Sequence, residues 1–359
     1  REDLAWLAKA YDYAVRDYGM WTREPHLAGE TGLSRYYGLG EGVSPEITGS
    51  AVEYFGYAIR HLLRGQGSRH PYLARGAARQ SLAGAPGPVF SLYLCNPNAA
   101  EPSAEDCALV ENTGLSADFY AGDRSARESG YDISFRFGPF SGATHHYAAV
   151  CLNSLLYKAE KDLDWIAARL GREPEARQWR QRARIRQQKM QEYLWDDDRG
   201  LFFDYNFRTR TRSNYEYLTT FFPLWAGLAS PQQTRAVVGN LPLFEQPGGL
   251  AMSRQETKLQ WDYPYGWAPL HLVAVEGLRR YGYEEEANRI SLTFLSTIVD
   301  NFRRDDTIRE KYNVVTRSSE TQTRGVYRQN VIGFGWTNGV FLELLHHLPK
   351  EWVDRLAKQ

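Results

Sequence analysis

Net charge is missing from this sequence of 359 residues, in which 43 Lys and Arg stand against 43 Asp and Glu. That balance removes the electrostatic footprint of a binder of nucleic acid or anionic membrane, so phosphate is a poor choice of partner. Cysteine is scarce as well. The three present, Cys95, Cys107 and Cys151, are odd in number and form no C-x-x-C pair, so neither a disulfide framework nor a structural zinc site is indicated and reduced, inert thiols are expected. No run of 18 apolar residues occurs, and the first segment, Arg1 to Gly19, is charged and amphipathic; neither a membrane span nor a signal peptide is expected from it. Strand signals are few, with no βαβ alternation and no G-x-G-x-x-G after a strand, which disfavours the doubly wound nucleotide-binding folds.

Aromatic rings are abundant: 23 Tyr, 16 Phe and 10 Trp make up 14% of the chain. Some belong to an ordinary helical core, but rings also suit the wall of a pocket that offers flat apolar faces beside hydrogen-bonding groups. Helical periodicity dominates. Apolar residues recur at three and four from Ala148 to Leu170, Gly171 stands where a C-cap glycine belongs, and Pro174 opens a second helix that runs to about Trp195. Further helices fit Leu4 to Tyr18, Ser50 to Leu63, Asn214 to Leu228, Ser230 to Val238, Ala268 to Tyr281, Glu284 to Phe302 and Thr337 to Leu348. A turn and a short extended run fit Asp196 to Phe207. The pattern is one of helix pairs joined by long connections, of which Thr31–Ile47, Tyr120–Phe140, Gln246–Pro269 and Thr307–Trp336 hold the unusual residues. Long loops in compact domains are usually functional.

Little in the sequence points to metal or acyl chemistry. The histidine pairs His145/His146 and His346/His347 are adjacent, and neighbours on a helix point about 100° apart, so neither pair is expected to chelate one ion. H-E-x-x-H, EF-hand and G-x-S-x-G motifs are lacking. What remains is carboxylates set among rings and arginines. Asp132 follows a Ser129-Gly130 turn with Arg127 and Arg136 near it, an environment suited to a protonated general acid; a helix N-cap or an ion pair is the competing reading. Glu310 before Lys311 is equally compatible with a surface ion pair. In Gln260 to Pro269 (QWDYPYGWAP) two prolines and a glycine fix a loop that carries two Trp, two Tyr, an amide and a carboxylate, and rigid rings beside polar forks are how proteins hold sugars.

QWDYPYGWAP resembles the second signature of the trehalase family of glycoside hydrolases nearly position for position. DRSARESGYD (Asp123 to Asp132) is similar to that family's acid-bearing segment, above all in the neutral trehalases of fungi. EKYNV (Glu310 to Val314) and GFGWTNG (Gly333 to Gly339) resemble its base-bearing end, and LNSLLYKA (Leu152 to Ala159) matches as well. The resemblance runs from near Leu4 to Leu348.

The resemblance implies an all-α fold, an (α/α)6 barrel with few short strands, formed by residues 1–359 as one catalytic domain. It also implies inverting hydrolysis of α,α-trehalose to two glucose units. Asp132 would be the general acid and Glu310 the general base; Glu46, Arg127 and Gly130 would contact sugar, and Gln260, Trp261 and Trp267 would line the pocket. No cofactor or metal follows from this chemistry, the partner is a small disaccharide, and a cytoplasmic setting is expected. Two departures stand out. The family's earlier signature, P-G-G-R-F-x-E-x-Y-x-W-D, and its R-S-Q-P-P segment do not occur, so a barrel lacking its N-terminal helices is expected. The glutamate that the family places before GFGW as a lid contact is replaced by Gly325-Val326-Tyr327-Arg328-Gln329-Asn330, with Glu320 as the candidate substitute. Another (α/α)6 α-glucosidase, or a sugar-binding homologue without catalysis, remains the alternative.

Overall fold

A computed structural model of the chain describes residues 3–47, 51–66, 70–75, 113–323 and 329–358. Helices dominate them. α1 (Leu4–Trp21) is capped by Asp3, whose carboxylate accepts from Trp6 N at 3.0 Å. It is followed by α2 (Ala51–Gln66) and α3 (Ala117–Ser129). α4 (Val150–Arg169) and α5 (Glu173–Tyr193) form a hairpin whose turn uses Gly171 at φ 73°, a left-handed conformation that favours glycine. α6 (Phe222–Trp225) continues a 3-10 turn, Leu218–Phe221, and α7 (Pro231–Gly239) opens on a capping box between Ser230 and Gln233. α8 (Ala268–Arg280), α9 (Glu284–Asp305), α10 (Gly335–His347) and α11 (Lys350–Lys358) complete the order. No helix among the described residues is long and apolar enough to cross a membrane.

The helices alternate between two layers. α4, α6, α8 and α10 touch one another in that order, while α5 backs onto α4, α9 backs onto α8 and α10, and α11 packs on α9. This is the all-α arrangement of an (α/α)6 barrel, with strands reduced to short antiparallel pairs in the connections. Asn214–Leu228 departs from expectation. It is not one helix: Tyr217 bridges to Ser253, Leu218–Phe221 is a 3-10 turn, and only Phe222–Trp225 is α-helical. Pro223 removes an amide that a continuous helix would need, and the Tyr217 bridge holds the preceding backbone extended. The expected loop Tyr120–Phe140 is in its first half helix α3.

One large apolar core runs through the barrel, and a second, containing Tyr54, Phe55, Phe119 and Phe140, joins α2 and α3 to the loop before α4. Each such fully buried ring contributes roughly 1.5–3 kcal/mol. Charges inside are paired. Arg136 binds Asp204 through two contacts of 2.7 and 2.6 Å, and Asp204 Oδ1 also accepts from Val150 N at 2.8 Å, fixing the start of α4. The fork geometry of Arg supplies direction here, which a lone charge would not.

Candidate active site

The acid-bearing segment owes its position to the end of α3. Ser116 caps the helix by accepting from Phe119 N, and Gly130 ends it at φ 75°, where its amide donates to Arg127 O at 3.1 Å. A Cβ placed on Gly130 would meet no atom within 4 Å, so this face of the turn is open. Arg127, one turn back, is buried and pairs with Asp123 at 3.1 Å, while its Nη1 lies 3.9 Å from Asp132 Oδ2. Asp132 therefore leaves the helix at its C-terminal end, beside a guanidinium, and is not a helix N-cap.

The aromatic loop docks directly on that segment. Gln260 donates its amide to Asp132 O, and Trp261 N donates to Ile133 O at 3.3 Å. Trp261 and Trp267 stack with centroids 3.7 Å apart and 4° between planes, and Trp336 sets its edge against both. Trp267 Nε1 donates to Gln260 O at 2.8 Å. The other atom of the Gln260 amide, Oε1, is buried and accepts no hydrogen bond. Orphaned buried acceptors are rare, and one beside stacked rings is suited to a hydroxyl donor. Beneath the loop, Asp262 is fully buried and accepts from Phe135 N, Tyr215 Oη and Thr257 Oγ1 at 2.7–2.9 Å. Burial pushes its carboxyl up to about 7 even so.

The base-bearing segment is zipped to the same loop. Lys311–Asn313 pairs antiparallel with Tyr265–Trp267, placing Trp267 opposite Lys311. Lys311 Nζ is 2.6 Å from Glu310 Oε2 and 5.1 Å from the Trp267 ring centroid. The side chain of Lys311 is wholly buried and that of Glu310 only 15% exposed, so this is no surface ion pair. Burial lowers the Lys311 ammonium below its usual range, opposed by the charges of Glu310 and Asp132. One buried cation thus feels both carboxylates.

Of the expected residues, Asp132, Arg127, Gln260, Trp261, Trp267 and Glu310 converge, with Gly130 as the open turn between Arg127 and Asp132. Glu46 is exposed in a turn whose loop is tied to α3, where Arg124 donates to the carbonyls of Gly38 and Gly42. Glu320 is exposed in the loop before residues 324–328, which lie outside the described residues, as do Cys95 and Cys107. Lys311 and Trp336 were not singled out from sequence. Trp336 lay within a quoted motif, and for Lys311 the pairing of Glu310 with a cation was visible but its burial was not. Donor groups that could hold a metal lie elsewhere, at Asp118, His145 and His146 and at Glu276, Glu343 and His347.

Comparison with known proteins gives a consistent result. The trehalase family model matches residues 96–349. The cytosolic neutral trehalase of Saccharomyces cerevisiae is 32% identical over 94% of this chain and 44% of its own length. That of Neurospora crassa is 33% identical over 94% and 46%. The solved neutral trehalase Nth1 from Saccharomyces cerevisiae superposes with a TM-score of 0.72 at 31% identity, covering 98% of this chain and 59% of that one. The chain spans about half the length of the curated relatives it matches.

Proposed function

The chain belongs to the trehalase family, and from that premise we propose that the protein hydrolyses α,α-trehalose to two glucose units by an inverting acid/base mechanism. The observation that carries the reading is the convergence of Asp132 and Glu310 on one buried lysine, beside stacked tryptophans and a Gln260 carbonyl oxygen without a partner. Two carboxyls, flat rings and an unfilled acceptor are what a glycosidase needs and what a merely structural cluster would not leave open.

In this mechanism Asp132 delivers a proton to the oxygen bridging the two anomeric carbons, and Glu310 draws a proton from a water that attacks from the opposite ring face. Inversion requires the two carboxyls to be roughly 6.5–9.5 Å apart, leaving room for that water. Lys311 holds the Glu310 carboxylate through a charge-assisted hydrogen bond, which sets its direction at little cost in disorder. Arg127, Gly130 and the Gln260 amide position a glucosyl ring beside the tryptophans, with Glu46 of the loop tied to α3 as a further sugar contact; such positioning supplies much of a rate enhancement. A cytosolic setting accords with the names of the fungal relatives.

Glucose release should be strong from trehalose and far weaker from maltose or sucrose. Equal or greater activity on maltose moves the assignment to a general α-glucosidase, and sugar binding without release moves it to a non-catalytic homologue. Early product observed by NMR should contain α- and β-glucose in equal amounts, since one unit keeps its configuration and the other inverts. Exclusively α product excludes the inverting roles of Asp132 and Glu310.

A further inference from the structure

Asp118 lies in the first turn of α3, nine residues before Arg127 and therefore about 14 Å from it along the helix axis. Two imidazoles from the turn Thr144–His146 meet its carboxylate. His145 Nε2 is 3.1 Å and His146 Nε2 3.2 Å from the same oxygen, Asp118 Oδ1, and the two rings lie against each other with centroids 3.8 Å apart. Consecutive side chains of a helix would diverge, yet here both fold onto one atom. His145 is buried, His146 nearly so, and Asp118 is 38% exposed, which leaves an approach from solvent.

Arg208 reports what this cluster attracts. Its Nη1 lies 3.3 Å from Asp118 Oδ1 and 3.1 Å from His146 Nε2. A guanidinium only donates hydrogen bonds, so the His146 nitrogen facing it is the unprotonated one. Two lone pairs, on His146 Nε2 and Asp118 Oδ1, thus converge at 3.2 Å on a shared cation. The Arg208 side chain is 64% exposed, so it is free to withdraw into solvent.

We propose that Asp118, His145 and His146 form a binding site for a transition-metal ion of the zinc class, with water as fourth ligand. Bonds of about 2.0–2.1 Å at the tetrahedral angle separate ligand atoms by about 3.3 Å, close to the two distances here. The donor set of two imidazoles and one carboxylate selects Zn²⁺, Co²⁺ or Ni²⁺ over Mg²⁺ or Ca²⁺, which prefer all-oxygen sites. Bound metal replaces Arg208 and clamps the start of α3 to the turn that leads into α4. The ion is a structural clamp on the helix bearing Arg127, remote from the hydrolytic carboxylates.

The test uses tag-free protein stripped with EDTA and titrated with CoCl₂, read by the visible ligand-field bands of tetrahedral Co²⁺, with ZnCl₂ as the displacing ion. One equivalent should bind. His146→Gln and Asp118→Asn should each weaken binding at least about tenfold, and ZnCl₂ should raise the melting temperature of the parent protein but of neither variant. Glu343→Gln, which disables the other donor group, should leave the spectrum unchanged. Arg208→Ala removes the competing cation and should tighten binding several-fold; because that side chain is exposed, this arm holds even where a ligand variant fails to fold. Absence of tetrahedral bands, loss of binding in Glu343→Gln, or unchanged or weaker binding in Arg208→Ala overturns the assignment.

Discussion

Glu310 and Lys311 share a contact of 2.6 Å away from solvent, with Asp132 adding a second negative charge to the lysine's surroundings. Removing one partner of a buried pair leaves the other uncompensated, a loss of about 3–5 kcal/mol. Lys311→Met should therefore lower both the urea midpoint and kcat, and the double variant Lys311→Met/Glu310→Gln should recover part of the stability and none of the activity. Full stability in the single variant would show that the pair is not a unit. Asp132→Asn and Glu310→Gln keep shape while removing proton transfer, so each should lower kcat at least about 10²-fold with sugar binding retained in calorimetry. Two further buried groups give the protein opposed responses to pH. His271 donates from Nδ1 to Trp267 O and accepts from Leu250 N at Nε2, and burial lowers its pKa to about 4. Its unfolded form takes up a proton near 6.5, so the stability it confers is complete above that pH and lost as pH falls toward 4, by about 3 kcal/mol. Asp262, raised to about 7, runs the other way: its contribution is complete below about 3.9 and lost as pH rises through 7. Urea unfolding of Asp262→Asn should accordingly show a steeper acid decline between pH 6.5 and 4 than the parent, and His271→Gln should gain stability over the same fall. Parallel curves for all three proteins would remove both assignments.

At the scale of elements, α3 is the piece that sets the acid and Arg127, and it is held by a contact without side chains. A Cβ on Gly122 would stand 2.0 Å from Gly142 O, so α3 reaches the loop before α4 only because that residue is glycine. Gly122→Ala should cost at least about 2 kcal/mol in the urea midpoint and reduce kcat with it, since backbone must move to admit the methyl group. A variant of unchanged stability and activity would mean that α3 shifts freely. This helix was not legible in the sequence. Its buried face includes Gly122, Asp123 and Ser125, and a periodicity counted on apolar residues passes over a helix that buries polar ones. The hairpins α4/α5 and α8/α9 were legible because their apolar stripes, prolines and C-terminal glycines agree. The rings of Asn214–Leu228 recur at helical intervals, but Tyr217 pairs its backbone with the distant Ser253, a contact set by the fold and not by local preference. The site followed the same division. Asp132, Gln260, Trp261, Trp267 and Glu310 sit in local motifs that carry their own signal, whereas the burial of Lys311 and the meeting of Asp118 with His145 and His146 arise from contacts between distant segments.

For the molecule as a whole, α10 combines an apolar composition with a partly exposed surface. Its sequence, GWTNGVFLELLHH, is apolar on more than one side, as suits a helix flanked by neighbours, and it buries Thr337, Val340 and Leu344 against α8 and α9. Leu342 is nevertheless 66% exposed, and Trp336, with Val331 and Ile332 just before the helix, is exposed too. Scattered single apolar residues on a surface are ordinary, but Val331, Ile332 and Trp336 gathered at the start of α10, with Leu342 further along the same helix, expose apolar surface of the kind that drives association. Concentration-dependent self-association of the 359-residue chain is therefore expected in light scattering coupled to gel filtration, with a midpoint that moves little with salt because apolar contacts are not screened as charges are. Leu342→Glu together with Ile332→Glu should shift the chain toward monomer without lowering its urea midpoint, since neither side chain is buried. A parent chain that stays monomeric across a hundredfold range of concentration would show that the α10 face is tolerated by water. Association that persists in the double variant, or that dissolves in salt, would place the contact on another surface.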